Sequence, residues 1–224
     1  IPFDRAWNPV FDWNSPAGSV LLKFLAALPK DRPFEITIFG SSPIQLGLDS
    51  TFLSGDVDIF SDEDLSASIK KAGLAKGDAA IYIEQVPENV FIASPTWRQR
   101  AFSLVRDNVT LTFPHPIDIL VAKIKRLAPK DLRAYHLVFQ KTGHPTEAEL
   151  KTALQRVVDI YRPAFDEEDN PGDPMENTRT VWRELYKKEI DVRAEIIRPA
   201  LQARRSAYGL DLPSFRSQLN KLGN

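Results

Sequence analysis

The sequence predicts an α+β protein, a small mixed sheet with flanking helices over residues 1–115 followed by a helical lobe over 116–224. Three observations predict it. Short β-branched and aromatic runs alternate with helix-periodic segments in the first half, every long apolar pattern beyond Pro116 has a helical period, and an acidic Pro/Gly stretch at 166–174 interrupts the second half.

An apolar-periodic helix is expected from Ala17 to Ala27, ending at Leu28-Pro29. Glu35 to Phe39 reads as a strand that Gly40 breaks, and Ser41-Ser42-Pro43 opens a short helix to Leu48, with a proline suited to a first turn. The next strand is Asp56 to Phe60, then a helix from Asp62 to Leu74, a third strand from Ala80 to Val86 and a fourth from Val109 to Phe113. Helices are expected over 117–127, 130–141 and 145–161, the last opening with Thr146 and Glu149 in capping-box spacing. Trp182, Leu185, Tyr186 and Ile190 recur at helical spacing and read as packing.

A formal net charge of -1 demands no polyanionic or membrane partner, so any partner must be argued locally. The absence of cysteine excludes a disulfide framework, a thiolate zinc site and thiol catalysis, and leans the expected location to the cytoplasm. No apolar run is long enough to span a bilayer, and no membrane partner is expected. Charge is nonetheless uneven: residues 1–117 hold 10 Lys and Arg against 14 Asp and Glu, whereas 118–156 hold 8 against 4. An anionic ligand between the two halves fits this reversal, and so does a solvated basic helix face. His115, His136 and His144 lie far apart and form no ligand or triad spacing, and the glycine motifs of serine hydrolases, dinucleotide binders and P-loops are absent.

Chemistry is concentrated in Asp56-Val57-Asp58-Ile59. In a strand of period two both carboxylates emerge on one face while Val57 and Ile59 take the other. Two such charges about 5 Å apart repel by roughly 3 kcal/mol at an effective dielectric near 20, which full exposure to water or an intervening cation relieves. Magnesium, or manganese, suits an oxygen-only donor pair of this kind. Upstream, Gly40 permits close backbone approach, and Ser41-Ser42 begins a helix whose free amides suit phosphate. An isolated Asp-x-Asp is more often a pair of surface aspartates; the preceding turn is what makes it a candidate for holding a magnesium nucleotide.

Phe39-Gly40-Ser41, a spacer over residues 42–55, and Asp56-Val57-Asp58-Ile59 together resemble the signature of the nucleotidyltransferase superfamily that includes DNA polymerase beta and the minimal nucleotidyltransferases. The spacer is slightly long and Gly55 stands where Ser or Thr often precedes the first aspartate. Pro116 to Lys123 with Lys130-Asp131-Leu132 is similar to a pattern in bacterial nucleotidyltransferase-like proteins related to abortive-infection toxins. The resemblance covers about residues 35–142. It implies a transferase in which Asp56 and Asp58 hold Mg²⁺ or Mn²⁺, Gly40, Ser41 and Ser42 receive the nucleoside triphosphate, and Lys123 and Lys130 contact phosphate or acceptor. Solvated helix lysines are the plainer account of the last two. It also implies a third carboxylate on a later strand, for which Glu84 is the candidate.

The resulting expectation is transfer of a nucleoside monophosphate from a nucleoside triphosphate to a hydroxyl on RNA, protein or a small molecule. The alternative is an inactive module of the same fold that binds a protein partner, for instance as one half of a toxin–antitoxin pair. The position of Glu84 relative to Asp56 and Asp58 separates the two.

Overall fold

A computed structural model of the chain describes residues 4–162 and 172–207. Helix α1, Pro16–Ala27, starts where Ser15 Oγ accepts from Gly18 N and Pro16 takes the first turn. It stops at Leu28, which is extended because Pro29 follows, and it buries Leu21, Phe24 and Leu25. Strand β1, Phe34–Ile38, is followed by helix α2, Ser42–Gly47, and strand β2, Asp56–Phe60. Helix α3, Ser66–Lys71, leads to strand β3, Tyr82–Gln85, and a hairpin of β4, Phe102–Arg106, and β5, Val109–Phe113.

The five strands form one mixed sheet in the order β3-β2-β1-β5-β4. The β1–β5 and β2–β3 pairs are parallel, and β1–β2 and β4–β5 are antiparallel. Ile36, Ile38, Val57, Ile59, Val109, Leu111 and Phe113 fill the core with α1. Because β2 alternates, burying Val57 and Ile59 leaves Asp56 and Asp58 on the opposite face.

Helices α4, Pro116–Lys123, α5, Pro129–Thr142, α6, Glu147–Arg156, and α7, Pro174–Tyr186, follow, and a π-helical turn at Arg193–Ile197 runs into α8, Arg198–Ala207. They share a second core around Leu120, Tyr135, Leu154, Val181 and Trp182, with the Tyr135 hydroxyl donating to Leu120 O at 2.6 Å. Ile44 of α2 belongs to this second core, whereas Leu46 belongs to the first. Helix α2 therefore joins the two and fixes the turn before it. A buried bidentate pair, Arg100 with Asp118 at 3.1 and 2.7 Å, ties the segment before β4 to α4. No helix among the described residues is long and apolar enough to cross a membrane.

Several boundaries differ from the sequence reading. The helix expected from Asp62 shortens to α3 because Asp64 Oδ1 accepts from Ser66 N in a local turn, so the acidic residues precede the helix instead of opening it. Strand β4 is additional; its hairpin turns at Asp107, which has φ 54°. The helix expected over 117–127 stops at Lys123, with Leu127 left-handed at φ 43°, and the one expected to Tyr161 breaks after Arg156 into a 3₁₀ turn, Val158–Tyr161. Most of the acidic stretch at 166–174 lies outside the described residues. At its end, Asp173 caps α7 by accepting from Met175 N and Glu176 N.

Candidate active site

Asp56, Asp58 and Glu84 are brought together by strand register. In the parallel β2–β3 pair Asp58 stands opposite Glu84, two residues along from Asp56 opposite Tyr82, so the three carboxylates share one face. One oxygen from each lies within 4.8 Å of the others. Three acids this close are a donor set for a divalent cation with oxygen preference. Asp56 and Asp58 are half-buried and Glu84 is exposed; at Asp58, burial, then Asp56, then Glu84 push the carboxyl up to about 6, with Lys123 and Lys130 opposing.

The turn after β1 is matched to this cluster. Gly40 has φ 65°, and a Cβ built on it would collide with Asp58 Oδ2. A side chain is excluded twice, by backbone conformation and by the carboxylate itself. The backbone of Phe39 donates to Asp58 O at 2.8 Å, which holds turn and strand in contact.

The two expected serines separate. Ser41 lines the cleft and its hydroxyl accepts from Lys123 Nζ at 3.2 Å. Ser42 is fully buried and its hydroxyl points back to Asp56 O at 3.4 Å, so its side chain secures β2 and its hydroxyl is turned from the cleft.

Both expected lysines reach the site from the facing helices. Lys123, at the end of α4, bridges Ser41 Oγ and Asp131 Oδ1, the latter at 2.8 Å. Lys130, in the first turn of α5, donates to Ser54 Oγ at 2.7 Å, and Ser54 Oγ donates to Asp56 Oδ1 at 2.8 Å. Neither is a solvated helix lysine. Asp131, fully buried, also accepts from Ala128 N at 3.0 Å and Arg126 Nη2 at 3.3 Å. These partners outweigh its burial and hold its carboxyl below the usual range.

Between these elements lies a cleft of about 570 Å³. Its polar side carries the carboxylates, Lys123, Lys125, Arg126 and Lys130, and its apolar side carries Phe91, Val90 and Ile92. Phe91 stacks on Phe39 with centroids 4.5 Å apart and planes 16° apart. Trp97 is buried behind them, edge-on to both rings, which makes it core.

Sequence reasoning missed Ser54, Asp131, Lys125, Arg126 and the Phe91 wall as site residues. Ser54 lies two residues before Asp56, outside β2, so strand alternation could not place it. Asp131 was visible only as half of a Lys-Asp pair; its partner in space is Lys123, not the adjacent Lys130. Comparison with family models, curated proteins and solved structures gives no match.

Proposed function

We propose that the protein transfers a nucleoside monophosphate from a magnesium-bound nucleoside triphosphate to a hydroxyl acceptor, as the nucleotidyltransferase superfamily does. The convergence of Asp56, Asp58 and Glu84 on one sheet face, beside Gly40 and opposite Lys123 and Lys130, carries this reading.

The donor set fits a magnesium or manganese ion. Three oxygen ligands converge, and burial, then the neighbouring carboxylates of Asp56 and Glu84, make the Asp58 charge costly without a cation. Bound there, the ion would neutralise the carboxylates and the triphosphate. The chain's own residues account for the rest. Lys123 is held by Asp131 with its ammonium on Ser41, aimed where phosphate oxygens meet the Gly40 turn. Lys130 steadies Asp56 through Ser54 and adds a second cation. The Phe91 wall gives the base an apolar surface.

In the reaction the acceptor oxygen bonds to the α-phosphorus, the bond from that phosphorus to the bridging oxygen breaks, and pyrophosphate leaves with the electron pair. The hydroxyl proton passes to Glu84, the most exposed of the three acids. A cytoplasmic location, where magnesium nucleotides abound, suits this chemistry.

Thermal-shift measurements with each magnesium nucleoside triphosphate test the binding half. The expected result is a rise in Tm that Asp56→Asn with Asp58→Asn removes without unfolding the protein. Transfer of α-labelled nucleotide to total RNA, protein or small acceptors tests turnover. A shift that survives in the double variant overturns the proposed site; a shift with no transfer to any acceptor favours a module that binds without turnover.

A further inference from the structure

The two ends of the cleft come from different parts of the chain. Lys123 on α4 and the Gly40 turn form one end, and the loop over residues 86–101, between β3 and β4, supplies the apolar wall of Val90, Phe91 and Ile92. Apart from two 3₁₀ turns, Glu88–Val90 and Trp97–Gln99, that loop has no regular structure of its own. A loop of this length keeps one shape only where other elements hold it.

Arg100 is where it is held. Its guanidinium donates from Nε to Asp118 Oδ2 at 3.1 Å, from Nη2 to Asp118 Oδ1 at 2.7 Å, and from Nη1 to Thr96 Oγ1 at 3.4 Å. Thr96 Oγ1 shares a hydrogen bond of 3.1 Å with the hydroxyl of buried Ser94, which also accepts from Thr96 N at 3.3 Å. Ser94 O in turn accepts from Trp97 N at 2.9 Å. One hydrogen-bonded path thus runs from Asp118 through Arg100 and Thr96 to Ser94, two residues beyond Ile92 of the wall. From the same turn Trp97 sets its ring edge-on to Phe91, with centroids 5.4 Å apart.

The other end of the path is α4. Asp118 lies in its first turn, Ile119 and Ala122 line the cleft, and Lys123 is its last residue. A helix is stiff over this span, so gripping Asp118 sets Lys123 relative to Phe91. A buried ion pair is a costly way to join two elements, since desolvation offsets most of its attraction and apolar contacts hold as firmly. What the bidentate fork adds is direction, because both donors must meet both oxygens in one plane. Arg100 and Asp118, with side chains 9% and 3% exposed, therefore specify geometry more than they add stability.

From this path we infer that the Arg100–Asp118 pair positions the two halves of a bound nucleotide: it sets the spacing between the Phe91 wall, which takes the base, and Lys123, which takes the phosphates. The inference rests on the nucleotide reading above. Base and triphosphate are joined covalently, so a nucleoside triphosphate gains from both ends at once only when wall and cation stand at a matching separation. Inorganic tripolyphosphate has no base and is indifferent to the wall.

The test is isothermal titration with two magnesium complexes, one of a nonhydrolysable adenosine triphosphate analogue and one of tripolyphosphate, together with thermal melts. Wild type is expected to bind the nucleotide more tightly than tripolyphosphate. Phe91→Ala should reduce that preference about threefold to tenfold, the range for one aromatic contact. Arg100→Lys keeps a cation opposite Asp118, on which Arg156 also acts, but loses the fork. It should lower the preference toward that of Phe91→Ala and leave tripolyphosphate affinity at the wild-type value. Thr96→Val, which cuts the path while sparing the ion pair, should move the preference the same way by a smaller factor, and it decides the matter if Arg100→Lys does not fold. A lower Tm with an unchanged preference overturns the inference, since the pair is then structural alone; an equal loss of both affinities does the same. Wild type that binds tripolyphosphate as tightly as the nucleotide removes the wall as a base surface, and the inference with it, while the carboxylate and lysine end stands. Wild type that binds neither removes the nucleotide reading itself.

Discussion

Asp58 of β2 and Glu84 of β3 stand opposite each other in a parallel register that places both carboxylates on the face carrying Asp56. No sequence motif joins them, since 25 residues and a helix intervene. The register does, and it creates an acidic cluster whose cost the fold bears whenever no cation is present.

That cost has a definite dependence on pH. Folding raises the Asp58 carboxyl from 3.8 to about 6, so between those values the folded protein binds more protons than the unfolded chain. Stability from this group is therefore complete below about pH 4 and is lost as pH rises through 6. In metal-free buffer, Asp58→Asn should exceed wild type in stability by about 1 to 3 kcal/mol at pH 7.5, a margin that shrinks toward pH 4. Denaturant melts of both proteins across that range measure it. A constant margin would show that Asp58 is ionised throughout. Added magnesium should narrow the margin at pH 7.5, because the cation stabilises the carboxylate that the variant lacks.

Gly40 makes a separate prediction. Its left-handed backbone and the collision of an alanine methyl with Asp58 Oδ2 are two penalties on Gly40→Ala, together on the order of 1 to 3 kcal/mol. Only the second depends on Asp58. In a double-mutant cycle, Asp58→Ala should return part of the loss and leave the conformational part. Strict additivity in urea melts would mean that turn and carboxylate do not touch.

The sheet lobe was legible where patterns are local. The β2 alternation placed Asp56 and Asp58 on one face, Pro43 stood in the first turn of α2, and the helical pattern beyond Pro116 opened with α4. Strand β4 was missed although Asp107-Asn108 sits between two short alternating runs, which is a hairpin signal. Site members fixed by non-local packing were harder. Glu84 could be suggested but not placed, because its neighbour across the ladder depends on which strand lies beside β2. The Lys123–Asp131 pair spans two helices whose crossing no period in the sequence specifies.

That pair gives the last prediction. Asp131 is 1% exposed at its side chain, Lys123 11%, and their contact is 2.8 Å. Lys130 instead donates to an uncharged hydroxyl, that of Ser54. Removing Lys130 leaves a serine that still has Asp56 as partner, so Lys130→Ala should cost little stability and weaken magnesium-nucleotide binding by about 1 to 3 kcal/mol. Removing Lys123 strips a buried carboxylate of its closest cation, leaving Arg126, which is largely exposed, and Ala128 N. Lys123→Ala should therefore lower both binding and stability, the latter by about 2 to 4 kcal/mol. Asp131→Asn keeps the shape and one acceptor for Ala128 N but discards the charge that holds Lys123 on Ser41. It should weaken nucleotide binding nearly as much as Lys123→Ala does, although a carboxylate at Asp131 has the wrong charge to hold phosphate itself. Isothermal titration with a nonhydrolysable magnesium nucleotide, alongside urea melts of the same three variants, separates these outcomes. Equal stability of Lys123→Ala and Lys130→Ala would show that the Asp131 pair carries no structural load, and wild-type affinity in Asp131→Asn would show that Lys123 finds its place without it.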